Sequence, residues 1–203
     1  MRSAGQHSLV VGISGLVLVA CVNVEIVPAD FPYEAMISAT DLGPGWQVEH
    51  TSFPRVDGAL SSYGLTLRYS DVTDATKPAV SHQLTIYPDA SSAIAGFANL
   101  RDEFNLDRPS DPMIDLRPQS ADDLVDSHCE RVAMNGQPRI SCIWIQQHRT
   151  QVTLVNGLLD EQALTFEELI QLIRVLDVRL NELDLRQPRT DAKRDLIRMG
   201  FGG

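Results

Sequence analysis

The sequence predicts an α+β domain, an antiparallel β-sheet of about six strands flanked by helices. Three observations predict it. Short runs alternate apolar and polar residues between turn signals. Asn135-Gly136 marks a two-residue hairpin, and tight hairpins make neighbouring strands antiparallel. A capped helix with apolar residues at three- and four-residue steps closes the domain.

The elements follow in order. Phe31, Ala35, Met36, Ala39 and Leu42 have helical spacing, which predicts a helix over 31–42. Gly43-Pro44-Gly45 stops it. Residues 46–50, 63–69 and 80–87 alternate and read as strands, the third closed by Pro88. Asp89 or Ser91 caps a second helix, whose stripe is Ile94, Phe97, Ala98, Leu100, Arg101 and Phe104. Residues 105–121, rich in Asp, Pro and Ser, read as a long loop. Strands over 122–134 and 140–147 make the first hairpin. A second, to residues 151–155, turns at His148-Arg149-Thr150, and Asn156-Gly157 is expected to end the sheet. Thr165 and Glu168 form a capping box, and Leu164 with Leu169 a hydrophobic staple. Phe166, Leu169, Ile173, Leu176, Leu180 and Leu183 supply the buried face of the last helix.

The Asn135-Gly136 turn fixes a register. Pairing outward sets Met134 opposite Gln137, Ala133 opposite Pro138 and, at the far end, Cys129 opposite Cys142. Pairs alternate between hydrogen-bonded and non-hydrogen-bonded sites. Pro138 then falls where its missing N–H breaks no bond of the hairpin. The two cysteines also fall at a non-hydrogen-bonded site, close enough for a disulfide. Closing a loop of this size contributes about 3 kcal/mol on the chain-entropy model. The competing reading is a metal site built from His128, Cys129, Cys142 and His148. It lacks a close-spaced second Cys, and strand neighbours 128 and 129 point to opposite faces.

The amino terminus reads as an address. Arg2 precedes the twelve-residue apolar stretch Leu9–Ala20, which suits a signal-peptide core and is too short to span a bilayer. It ends in Leu18-Val19-Ala20-Cys21, which resembles the bacterial lipobox. That resemblance implies that Cys21 carries lipid and becomes the first mature residue, anchored by more than one acyl chain. Export implies a compartment where disulfides persist, which favours the Cys129–Cys142 pair. The division expected is a signal peptide at 1–20, a tether at 21–30, one domain at 31–183 and a basic tail at 184–203. The chain carries a charge of −10, so a nucleic-acid partner is not expected.

The element order resembles the PsbP-like fold, found also in small bacterial lipoproteins. The resemblance rests on the Asp41-Leu42-Gly43-Pro44-Gly45-Trp46 helix exit, the 93–104 helix and the capped last helix. It implies a fold and no catalytic motif.

The sequence carries no nucleophile elbow, metalloprotease helix, phosphate loop or dinucleotide fingerprint, and no catalytic residue, cofactor or metal is expected. His7 lies in the leader, and His50, His82, His128 and His148 read as exposed or internally satisfied. Asp107, Asp111, Asp115, Asp122, Asp123 and Asp126 read as a solvated acidic loop, since EF-hand spacing is absent. Trp46, Trp144, Tyr63, Tyr69 and Tyr87 read as core rather than pocket. The function expected is that of a lipid-anchored, extracytoplasmic, non-enzymatic domain on the outer face of a bacterial membrane, binding a protein partner or serving a membrane complex. A small-ligand or metal carrier is the alternative.

Overall fold

Strands β1 (Trp46–Ser52), β2 (Ser61–Tyr69), β3 (Ala79–Ile86), β4 (Leu124–Met134), β5 (Gln137–His148) and β6 (Gln151–Leu159) form one antiparallel sheet. Its order is β1-β2-β3-β6-β5-β4. Helices α1 (Ala39–Leu42), α2 (Ala90–Glu103) and α3 (Phe166–Arg186) flank it, with a 3₁₀ turn at Tyr33–Ala35. The computed structural model describes residues 31–70, 77–111, 123–134, 136–160 and 163–186, with side chains as far as Leu183. Among the described residues no helix is long and apolar enough to cross a membrane.

Each face of the sheet has its own core. On one face Leu65, Leu67, Val80, Leu84, Trp144 and Val155 pack with Leu169, Ile173, Leu176 and Leu180 of α3, and with Phe31, Ala35, Met36 and Ile37. On the other, α2 lies over β4, β5 and β6. There Ala93 and Phe97 pack with Tyr87, Leu106, Ile145 and Val152. The β2–β3 half of that second face is polar. Ser62 and Thr85 share a hydrogen bond of 2.9 Å, as do Thr66 and Ser81.

The hairpin register is the one the turn predicts, from Met134↔Gln137 through Ala133↔Pro138 to Cys129↔Cys142. Gly136 sits at φ +75°, as a primed turn requires; Asn135 lies outside the described residues. Cys129 and Cys142 are joined, with Cα atoms 4.1 Å apart. The next hairpin turns at Arg149, at φ +51°. Both edges are managed. β1 carries a bulge between Val48 and His50. At β4, Asp111 N–H donates to Cys129 O, and Cys129 N–H donates to Ser110 Oγ.

Several expectations need correction. The helix expected over 31–42 is two short pieces, the 3₁₀ turn and α1. Tyr33 O accepts from Met36 N–H, and Ile37 N–H turns into the sheet instead of back along a helix. The α2 stripe is rotated: Ala93, Gly96 and Phe97 are buried, while Ile94 and Ala98 are exposed. The ring of Tyr87 fills the space a side chain at position 96 would need, so the helix presents its glycine there. The sheet does not end at Asn156-Gly157, because Gly157 pairs with both Val80 and Cys142. A Cβ at Gly157 would come within 3.2 Å of Leu159 and reach ordinary contact with Leu169 of α3 at 3.4 Å, so helix and strand lie close here. Asp123 does not belong to a solvated loop, because its side chain is enclosed against Gln146 and His148. The last helix continues beyond Leu183 to Arg186.

The helix signals otherwise hold. Asp89 caps α2 by accepting from Ser92 N–H at 2.7 Å. Glu168 accepts from Thr165 N–H, and Thr165 Oγ1 accepts from Glu168 N–H, closing the box at α3. Leu164 and Leu169 are both buried in the same core.

Candidate functional site

Alternation along β5 points Cys142, Trp144, Gln146 and His148 toward α3. Gln151 and Thr153 of β6 stand opposite His148 and Gln146 on the same face. The face therefore changes from apolar to polar along its length while staying buried. Gln146, His148, Gln151 and Thr153 are all closed from solvent. This buried polar stripe under α3 gathers chemistry-bearing groups among the described residues.

Its bonds are specific. Gln146 Nε2 donates to Asp123 Oδ2 at 2.6 Å and to Asp177 Oδ1 at 2.7 Å. His148 Nδ1 lies 2.8 Å from Asp123 Oδ1, and both side chains are 3% exposed. Asp177 flanks the apolar stripe of α3, and Asn181, one turn on, donates to its backbone oxygen at 2.7 Å. Two carboxylates orient the Gln146 amide. Its Oε1 points away from them and has no partner among the described residues; the same holds for Gln151 Oε1 and Trp144 Nε1. The stripe continues to His82, which sits on β3 opposite Val155. His82 Nδ1 accepts from Ile37 N–H at 3.2 Å, and Nε2 lies 2.7 Å from Thr153 Oγ1. An acceptor Nδ1 leaves the proton on Nε2. Burial, aided by the nearby Arg179 charge, holds the ring neutral with a pKa lowered to about 3.

A second feature is open. Loop residues Phe53, Pro54, Arg55, Val56, Ala59 and Leu60 line a cleft of about 300 Å³ with Ser61 and Ser62 of β2. Its floor joins the Ser62–Thr85 pair, to which Gln83 Nε2 donates at 3.2 Å. At the same end of the sheet, Phe53, Tyr63, Phe31 and Tyr33 form a chain of ring contacts.

The residues singled out in sequence fall as follows. Cys129 and Cys142 form the disulfide. Their sulfurs are therefore not thiolates, and among the described residues no three His, Cys, Asp or Glu gather for a metal. Cys21, His7, Asp115 and Asp122 lie outside the described residues, as do the tether to residue 30 and the tail from 187. His50 is exposed, His82 is bonded at both ring nitrogens, and His148 is bonded to Asp123 through Nδ1. His128 departs from expectation. It is buried, its ring nitrogens make no hydrogen bond among the described residues, and Glu130 stands 3.9 Å away. Asp107 and Asp126 both pair with Arg101 of α2. Trp46, Trp144 and Tyr87 are core. The Gln146–Asp177 bridge was missed in sequence. The parity of β5 contained the signal, since pairing puts Gln146 on the Trp144 face.

No protein-family model matches this chain, and no curated protein matches it. Among solved structures, the crystal structure of the extracellular domain of PknH from Mycobacterium tuberculosis is similar, with a TM-score of 0.51 and 10% identity. The match covers 73% of this chain and 94% of that one. What the two share at that identity is the fold.

Proposed function

We propose that this chain is an exported, lipid-anchored, non-enzymatic domain that binds a protein partner, or serves a membrane complex, on the outer face of a bacterial membrane. The Cys129–Cys142 bridge carries the reading, because such bonds persist outside the reducing cytosol. The lipobox ending at Cys21 supplies the anchor. A non-catalytic role is supported by the enclosure of the Asp123–His148 pair, whose side chains are each 3% exposed. The PsbP-like assignment belongs to this proposal and is supported by the helix–sheet–helix order. The likeness to a domain described as extracellular supports the location.

Cys21→Ser tests the anchor. The variant should carry no metabolic fatty-acid label and remain uncut at this site; a label that persists overturns the assignment. Crosslinking followed by pulldown from membranes tests the partner, and repeated recovery of none counts against it. A second reading, a small-ligand carrier, is favoured by the hydroxyl-lined half of the sheet at Ser62, Thr66, Ser81 and Thr85. Native mass spectrometry separates the two, since a co-purifying small molecule supports only the carrier.

A further inference from the structure

The described chain begins inside a cluster of rings. Phe31 lies 5.0 Å from Tyr33 and 5.7 Å from Tyr63, centroid to centroid. Phe53 lies 5.1 Å from Tyr63 and forms one wall of the β1–β2 cleft. The rim of that cleft carries Leu60, which at 69% is the most exposed large hydrophobic side chain among the described residues. Its backbone is pinned, with Leu60 N–H donating to Ile86 O at 2.8 Å. The fold thus holds a leucine outward beside a partly open aromatic cluster. A single exposed leucine needs no explanation, but here the cleft joins Leu60 to Phe53, and ring contacts through Tyr63 lead on to the exposed Tyr33.

The register places this patch at one end of the sheet. Ser61 pairs with Ile86, Ile86 with Gln151, and Gln151 with His148. The β4–β5 turn beyond Gln137 is at the other end. The patch is also where the chain arrives from Cys21. Residues 22–30 separate Cys21 from Phe31, and at full extension that step spans no more than about 36 Å. Tyrosines suit the boundary between lipid and water, having an apolar ring and a polar tip. Charge does not drive the contact, because exposed Arg55 and Arg149 share this end with exposed Asp57 and Asp89.

We infer that this end of the domain rests on the phospholipid bilayer that holds Cys21, with Leu60 and Tyr33 entering the headgroup boundary and the Phe53 cleft facing it. The inference rests on the reading of Cys21 as the anchor and adds an orientation to it.

The test supplies the anchor chemically. In the chain from Cys21 onward, the disulfide leaves Cys21 as the free thiol, which couples to a maleimide lipid. The vesicles are phosphatidylcholine with phosphatidylglycerol, with or without brominated acyl chains. Leu60→Trp should shift its emission to the blue on coupling and be quenched about twofold by the brominated chains, at low and high salt alike. Gln137→Trp, at the opposite end, should change little. Trp46 and Trp144 are buried and give a background that the unsubstituted chain subtracts. Equal quenching at both sites, or none at Leu60→Trp, overturns the inference. So does a blue shift already present before coupling, which would mean that the chain's own residues cover the cleft. Because coupling bypasses the cell, such a failure leaves the lipidation reading to the fatty-acid label on Cys21.

Discussion

The backbone N–H of Ile37 donates to Nδ1 of His82 across 45 positions of sequence. That bond fixes the imidazole as its neutral Nε2–H form, which can donate on to Thr153 Oγ1 at 2.7 Å. It also ends any helix at this point, because an α-helix would send the Ile37 N–H to Tyr33 O. One bond thus ties the amino-terminal segment to the centre of the sheet and commits His82 to being uncharged.

Acid should therefore destabilise the domain through His82. Its folded pKa is lowered to about 3 by burial and by Arg179, against the ordinary 6.5. Between those values the unfolded chain binds more protons, so stability is complete above 6.5 and falls as pH drops toward 3. The slope is at most about 1.4 kcal/mol per pH unit. In urea melts, the stability gap between the natural chain and His82→Gln should narrow from about pH 7 to about pH 5. A gap that stays constant would mean His82 is not buried neutral.

The Cys129–Cys142 bridge should contribute about 2–4 kcal/mol. Cys129→Ala/Cys142→Ala should lower the urea midpoint, and the natural chain in reductant should match it. A natural chain unaffected by reductant would show that the bridge does not form.

This hairpin was legible because three local signals agree: the Asn135-Gly136 turn, Pro138 at a site that gives no ladder bond, and cysteines in register. The split of the 31–42 helix was not legible, since its cause is a histidine on β3. The rotation of α2 was hidden for the same reason, because the Tyr87 ring decides which residue faces in. Composition placed Asp123 in a solvated loop. Its partners, Gln146 and His148, lie more than twenty positions further on. Local chemistry shows in sequence, whereas a buried polar pair shows only once the strands are paired.

Gly96→Ala should destabilise, although alanine is the better helix former by about 1 kcal/mol. The added Cβ would meet the Tyr87 ring, a stiff neighbour that is itself buried. Overpacking of this kind costs about 1–3 kcal/mol. Gly96→Ala combined with Tyr87→Leu should recover part of the loss. A Gly96→Ala variant more stable than the natural chain would show that α2 shifts freely on the sheet.

Arg179 clamps α1 to α3. Its guanidinium donates to both Asp41 carboxylate oxygens, at 2.9 and 2.6 Å, and to Met36 O at 2.9 Å. Burial opposes the Asp41 charge, yet the bonds from Arg179 and Ser38 hold its pKa below the usual value. Arg179→Lys keeps the charge and loses the fork, so it should cost about 1–2 kcal/mol. The same substitution should speed hydrogen exchange at the Ile37 amide. Unchanged exchange there would separate the clamp from the Ile37–His82 bond.

The stripe under α3 makes the sharpest energetic claim. Asp123 and His148 are enclosed together, and Gln146 ties Asp123 to Asp177 on the helix. Removing one member of such a pair strands the other in a low-dielectric setting, so Asp123→Ala should cost about 3–5 kcal/mol at neutral pH. His148→Ala in the Asp123→Ala background should cost much less than in the natural chain, because the group it removes has already lost its carboxylate. A double-mutant cycle in urea should therefore give a coupling of at least about 1 kcal/mol. If the two losses simply add, the Asp123–His148 contact does not form in solution, and the enclosure that supports a non-catalytic reading goes with it.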